Sequence, residues 1–332
     1  MKRLCFLVIC MSIIMGCSTS TSSTKALVDY VDPNIGTAHC RWFFYTPAAI
    51  PFGMAKLAPS TDAHLGNPGG WQAVGYDFRH TSIEGFANFH EFQVGGVVFA
   101  PTVGELQTVP GELENPDGGY RSRFDKKDEV AAPGYYSVLL KDYGVKAELT
   151  AMKRVGFHRY TYPKTELANL IFDIGNKQGE SGEVKDAEVQ YFEDGRVEGY
   201  VITSPVYVNI YQKGADVRMY FSAVLNKKPV QVGTFVKDVV NPGKHQEKGP
   251  GAGLYMTFST EEQEAVEVKV GLSYTSIENA RFNRETEAAD VTFDQAKKNA
   301  TDVWNESLSR IYVEGGLSLI HISEPTRLGM IS

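Results

Sequence analysis

From Tyr30 onward, short runs rich in β-branched, aromatic and leucine residues alternate with turn-forming residues. Tyr135–Leu140, Val145–Met152, Gly156–Tyr162 and Leu167–Ile174 are punctuated by Pro133-Gly134, Asp142-Tyr143-Gly144 and Pro163. Tyr191–Glu193, Arg196–Ser204, Val206–Gln212, Val217–Leu225, Gly253–Ser259 and Ala265–Tyr274 continue the pattern. Such runs predict strands, and Asp194-Gly195 predicts a tight turn. Many strands with few helical stretches predict an all-β domain, an antiparallel β-sandwich. Asn241–Gly253, rich in Gly, Pro and Lys, is expected to be an exposed loop.

The period changes after Ser276. Phe293, Ala296, Ala300, Val303, Trp304, Leu308 and Ile311 recur at helical spacing, and Thr292 with Gln295 gives a capping-box start. Glu278–Glu287 is expected to form an earlier helix. The expected division is a sandwich over 29–275 and a helical linker over 276–316 that leads into a following domain.

Both ends read differently from the middle. Lys2 and Arg3 precede an apolar run, Leu4–Met15, too short for a bilayer span of roughly 20 residues. Ile14-Met15-Gly16-Cys17 resembles the lipobox of a bacterial lipoprotein signal. Residues 1–17 are then a signal peptide with Cys17 as the lipidated residue, and 18–28 a tether. Ser18 after Cys17 leans towards the outer membrane, and acyl chains would anchor the domain without a transmembrane helix. At the other end, LSLIHISEPTR (Leu317–Arg327) is the translation of a nucleotide string that resembles a transposase-end sequencing adapter, so a different codon choice there would remove the idea. Residues 317–332 are expected to be translated adapter joined to a truncated gene, so His321 and Glu324 carry no functional weight.

The remaining roughly 300 residues have room for one large domain or two small ones. A formal net charge of −7 and no Lys/Arg-rich block argue against a nucleic-acid partner. Of four cysteines, Cys5 and Cys10 leave with the signal and Cys17 is acylated. Cys40 then has no intrachain disulfide partner and is expected to be a small buried thiol rather than a nucleophile.

Candidate chemistry concentrates in Gly70–Gly96, where Trp71, His80, His90, Asp77, Glu84, Glu91 and Arg79 lie among glycines and aromatic rings. Aromatic faces beside polar groups hold sugar rings, the face stacking and the edge hydroxyls hydrogen-bonding; an aromatic-rich hairpin corner has the same composition. Trp71 is the first candidate for a stacking wall. His90 and Glu91 follow as hydroxyl partners, and Arg41 and His39 join them if their loop folds against this segment. His39, Arg41 and Glu91 fit equally a polar group satisfied at a domain interface. His80 and His158 are expected to serve packing or strand hydrogen bonds. Asp125, Asp128 and Glu129 lack calcium-loop spacing and are expected on a solvated surface.

Taken together, YVDPNIGT (30–37), IPFGMAKLAPST (50–61), GYDFRHTSIEGFANFHEFQVGG (75–96) and PGYYSVLLKDYGVKAELTAMKRVGFHRYTYP (133–163) resemble the N-terminal domain of glycoside hydrolase family 92. KVGLSYTSIENARFNRE (269–285) and AKKNATDVWNESLSRIYVEGG (296–316) resemble its linker. The resemblance implies an exported bacterial exo-α-mannosidase: a sandwich followed by an (α/α)₆ barrel, absent here, with the active site between them. It implies removal of terminal mannose from N-glycans or mannans with inversion, assisted by Ca²⁺. The family draws its acid, base and most calcium ligands from the barrel, so no residue here receives those roles and the fragment is expected to be inactive. Many members carry a Ser-His-Thr-His-Leu-Ser-Gly-like run where this chain has Ala87–Gln93, which implies a different +1 specificity. The rival reading is a non-catalytic carbohydrate-binding surface lipoprotein.

Overall fold

A computed structural model describes residues 25–38, 45–63, 75–90, 95–177, 179 and 181–311. In chain order the strands begin with β1 (Ala58–Ser60), β2 (Ser82–Ile83), β3 (Gly85–Ala87), β4 (Val98–Val103), β5 (Ser122–Arg123) and β6 (Val130–Ala132). β7 (Tyr135–Leu140), β8 (Val145–Ala151), β9 (Val155–Tyr162), β10 (Thr165–Asp173), β11 (Glu183–Tyr191) and β12 (Val197–Ser204) follow. After helix α1 (Val206–Tyr211) come β13 (Val217–Leu225), β14 (Gln231–Val236), β15 (Val239–Pro242), β16 (Gln246–Lys248), β17 (Ala252–Thr260) and β18 (Glu264–Ser273). Helices α2 (Ile277–Ala288) and α3 (Phe293–Leu308) complete the order.

These strands build the antiparallel sandwich that the run pattern predicts. One sheet has seven strands in the order β1-β3-β4-β10-β17-β14-β15, and the other nine, β16-β11-β12-β13-β18-β9-β8-β7-β6. Side chains alternate across each strand, so Phe99, Leu170, Phe172, Leu254 and Met256 of the first sheet join Tyr160, Phe221, Val268 and Val270 of the second in the central core. The opposite face of the seven-stranded sheet is covered as well. Ala100, Ile171, Tyr255 and Phe235 pack there under Tyr120 and Leu106. That second layer explains why β10 and β17 read as continuous apolar runs rather than alternating ones.

The outer face of the nine-stranded sheet is covered by α2 and α3. Ala288, Phe293 and Ala296 meet Tyr135, Val155 and Phe157 there. Ser276 caps α2 through Asn279 N–H, and Thr292 with Gln295 forms the reciprocal box that the sequence predicts for α3. Close approach of α2 depends on Gly271, because a Cβ at that position would lie 2.1 Å from the Ala280 carbonyl oxygen.

Four expectations fail. Of Tyr191–Glu193 only Tyr191 is in a strand, and the chain then turns towards β12, with Gly195 N–H donating to Phe192 O at 2.9 Å. Val206–Gln212 is a short helix, not a strand. Asn209 Nδ2 reaches Ser204 Oγ, Pro205 O and Ala215 O, folding the chain back on itself after β12. Within Asn241–Gly253, the end of β15, all of β16 and the start of β17 are paired strands; Pro242 closes an edge strand, where its missing N–H costs nothing. Glu129 is not solvated, for its side chain is 1% exposed and accepts hydrogen bonds from Tyr76 Oη and Tyr136 Oη, both at 2.8 Å.

Candidate functional site: a cavity beside His90

The segment after β3 folds against the Pro51–Lys56 stretch. His90 N–H donates to Lys56 O at 3.0 Å, and Lys56 N–H to Asn88 O at 3.3 Å. Tyr45 Oη donates to the His90 carbonyl at 2.6 Å, with its ring 4.4 Å from the imidazole. Next to this frame lies a cavity of about 270 Å³ lined by Phe52, Gly53, Met54, Lys56, Phe89, His90 and Tyr274. Phe89 is buried, and its ring lies 5.0 Å from that of Tyr274, the first residue after β18, tilted by 57°.

His90 is buried, and among the described residues neither of its ring nitrogens has a hydrogen-bond partner. Burial depresses its pKa to about 3, so the ring is neutral at physiological pH and offers one donor and one acceptor. Gly75, at φ 77°, makes room for it: a Cβ there would sit 3.0 Å from Nε2. His158 is the instructive contrast. Burial also lowers it to about 3, yet its Nε2 lies 2.8 Å from Asn88 Oδ1 and its Nδ1 2.8 Å from Tyr160 Oη. One histidine is a satisfied core group, as predicted, while the other lines a cavity with both nitrogens buried and, among the described residues, without a hydrogen-bond partner.

The acids of the same segment are engaged elsewhere. Glu84 is buried, accepts from Ser60 Oγ at 2.6 Å and pairs with the buried Arg121 at 3.3 Å. Burial, reinforced by Asp62 and opposed by Arg121, raises its pKa to about 7. Asp77 is clamped by Arg79 Nη2 at 2.8 Å, and His80 Nδ1 lies 3.0 Å from Thr61 Oγ1. None of the described residues lining the cavity carries a carboxylate. Asp173, which receives Tyr120 Oη at 2.6 Å, is likewise interior, and burial raises its pKa to about 6.

The glycosyl hydrolase family 92 N-terminal domain matches residues 30–273. The chain belongs to glycosyl hydrolase family 92. This family 92 domain is similar to the GH92 α-mannosidase BT3965 of Bacteroides thetaiotaomicron, solved in complex with mannoimidazole. Identity is 29% with a TM-score of 0.78, over 88% of this chain and 38% of that one. It also resembles the GH92 glycosyl hydrolase ccman5, at 26% identity and a TM-score of 0.72, over 91% of this chain and 39% of that one. The inverting mannosidase BT2199 of Bacteroides thetaiotaomicron VPI-5482, 22% identical with a TM-score of 0.71, shares the fold. The family 92 domain thus spans about two fifths of the length of these relatives. No curated protein matches it.

Of the residues singled out from sequence, His90 sits at the cavity. Trp71, Glu91, Arg41, His39 and Cys17 lie outside the described residues, as does the 317–332 tail. Sequence reasoning missed Phe52, Met54, Lys56 and Tyr274 as lining residues. An aromatic between Pro51 and Gly53 was the available signal, since a bulky apolar side chain in a tight turn has no core to enter.

Proposed function

We propose that this domain is the substrate-shaping part of an exo-acting, inverting α-mannosidase that removes terminal mannose from N-glycans or mannans. The observation carrying this reading is the cavity beside His90, walled by aromatic rings and a neutral imidazole, with no carboxylate among its described lining residues. Such a wall can orient a sugar ring, with Lys56 and Tyr274 lining the cavity to meet its hydroxyls. The described lining residues alone cannot cleave the bond, because inversion needs an acid and a base roughly 6.5–9.5 Å apart, on opposite faces of the sugar. A histidine with a pKa near 3 cannot serve as that acid at neutral pH.

In this reading the acid and base come from a following (α/α)₆ domain in the same polypeptide. In this reading calcium would belong with them, held mainly by side chains of that domain, where it would help to hold the sugar. Cys17 carries the lipid, which holds the domain at the outer membrane, facing glycan.

The test compares this chain with a gene continued through the helical domain, each given calcium and an aryl α-mannoside. The longer protein should release mannose with inverted configuration. This chain should be slower by at least about 10⁴-fold, the scale of two missing proton-transfer groups. Enzyme-like turnover by the short chain, or none on α-mannosides by the long one, refutes the reading.

A further inference from the structure

Phe52 stands at φ 60°, in the left-handed region that costs a residue with a Cβ about 1–2 kcal/mol. Its side chain is 97% exposed, so burial of the phenyl does not offset that cost. The turn beneath it is nonetheless fixed: Gly53 N–H donates to Ile50 O at 3.1 Å and Met54 N–H to Lys153 O at 2.7 Å. A firm, strained turn therefore holds an aromatic ring in water at the edge of the His90 cavity.

Tyr274, 44% exposed, and Lys56 line the same cavity. At about 270 Å³ the cavity falls just below the range of about 300–1,000 Å³ that suits drug-sized ligands, a size for one pyranose ring rather than an oligosaccharide. The mixture of rings with an amine, a phenol and an imidazole matches a sugar better than an aliphatic side chain. We propose that Phe52 is a specificity-determining platform on which a terminal hexopyranose stacks, its edge hydroxyls meeting Lys56 and Tyr274. This rests on the mannoside reading above and adds to it a residue and a binding mode.

The experiment uses the 332-residue chain with methyl α-D-mannopyranoside, read by saturation-transfer NMR, and melting temperature measured in parallel. The wild type should transfer saturation to the sugar ring protons. Phe52→Ala should weaken binding about tenfold, the loss of one good stacking contact, and Phe52→Trp should restore it. Phe52→Gly should lose binding as the alanine variant does yet melt at or above the wild-type temperature, because glycine relieves the turn. A structural Phe52 would instead lower the melting temperature in both small variants. Wild-type binding that Phe52→Ala leaves unchanged overturns the Phe52 assignment alone. A wild type that transfers no saturation to this sugar overturns the mannoside reading and the assignment with it.

Discussion

His90 and His158 are both held near pKa 3, against about 6.5 in an unfolded chain. Between those values the unfolded chain binds protons that the folded one refuses, so their contribution falls as pH drops below about 6.5. Glu84 and Asp173 work in the opposite sense. Their folded values, about 7 and about 6, lie above the roughly 4 of free carboxylates. Their contribution is present at low pH and lost as pH rises through those values. The two pairs offset each other between about pH 5 and 6, and the histidines act alone below about 4. Glu84→Gln removes one carboxylate. The difference in melting temperature, variant minus wild type, should therefore rise from pH 5 to pH 8. A pH-independent difference would mean that Glu84 is already ionised in the fold.

Helix α2 lies so close to β18 that Gly271→Ala must push it away, at a cost of about 1–3 kcal/mol. Thr292→Ala removes the α3 cap and should cost about 1 kcal/mol. Urea denaturation of both single variants and the double checks these values, and the two should add because the sites share no partner. α3 was legible in the sequence because its 3.6-residue period and its cap agree. Val206–Gln212 misled because Val, Ile and Tyr favour strands, whereas the side-chain bonds of Asn209 fold the segment into a turn of helix. Glu129 misled because its lysine neighbours imply solvent, and its two tyrosine partners, Tyr76 and Tyr136, lie 53 and 7 residues away. The site was half legible for a similar reason. His90 stands in an aromatic cluster that the sequence displays, but only the folded sheets bring Tyr274 to Phe89.

At the scale of the whole molecule, the sandwich is a family 92 N-terminal domain that spans about two fifths of its solved relatives. Its first and last described segments meet. Trp304 Nε1 of α3 donates to the Ala49 carbonyl at 2.7 Å across 255 residues, and Val28 N–H donates to Asn305 Oδ1 at 3.0 Å. Ala49 immediately precedes the Ile50–Gly53 turn that carries Phe52. During synthesis the strands can pair as they leave the ribosome, but this clasp must wait for α3, because contacts so distant in sequence close late. Trp304→Phe keeps most of the ring and loses the donor. Hydrogen exchange should then quicken in the backbone around Gly53 and leave the central strands as they were, while uniform quickening would show that the clasp secures the whole sandwich. The anchor at Ala49 is therefore among the last contacts of the domain to form, and a ribosome that stops before Trp304 releases a sandwich whose Phe52 turn rests on its Ile50 and Lys153 bonds alone.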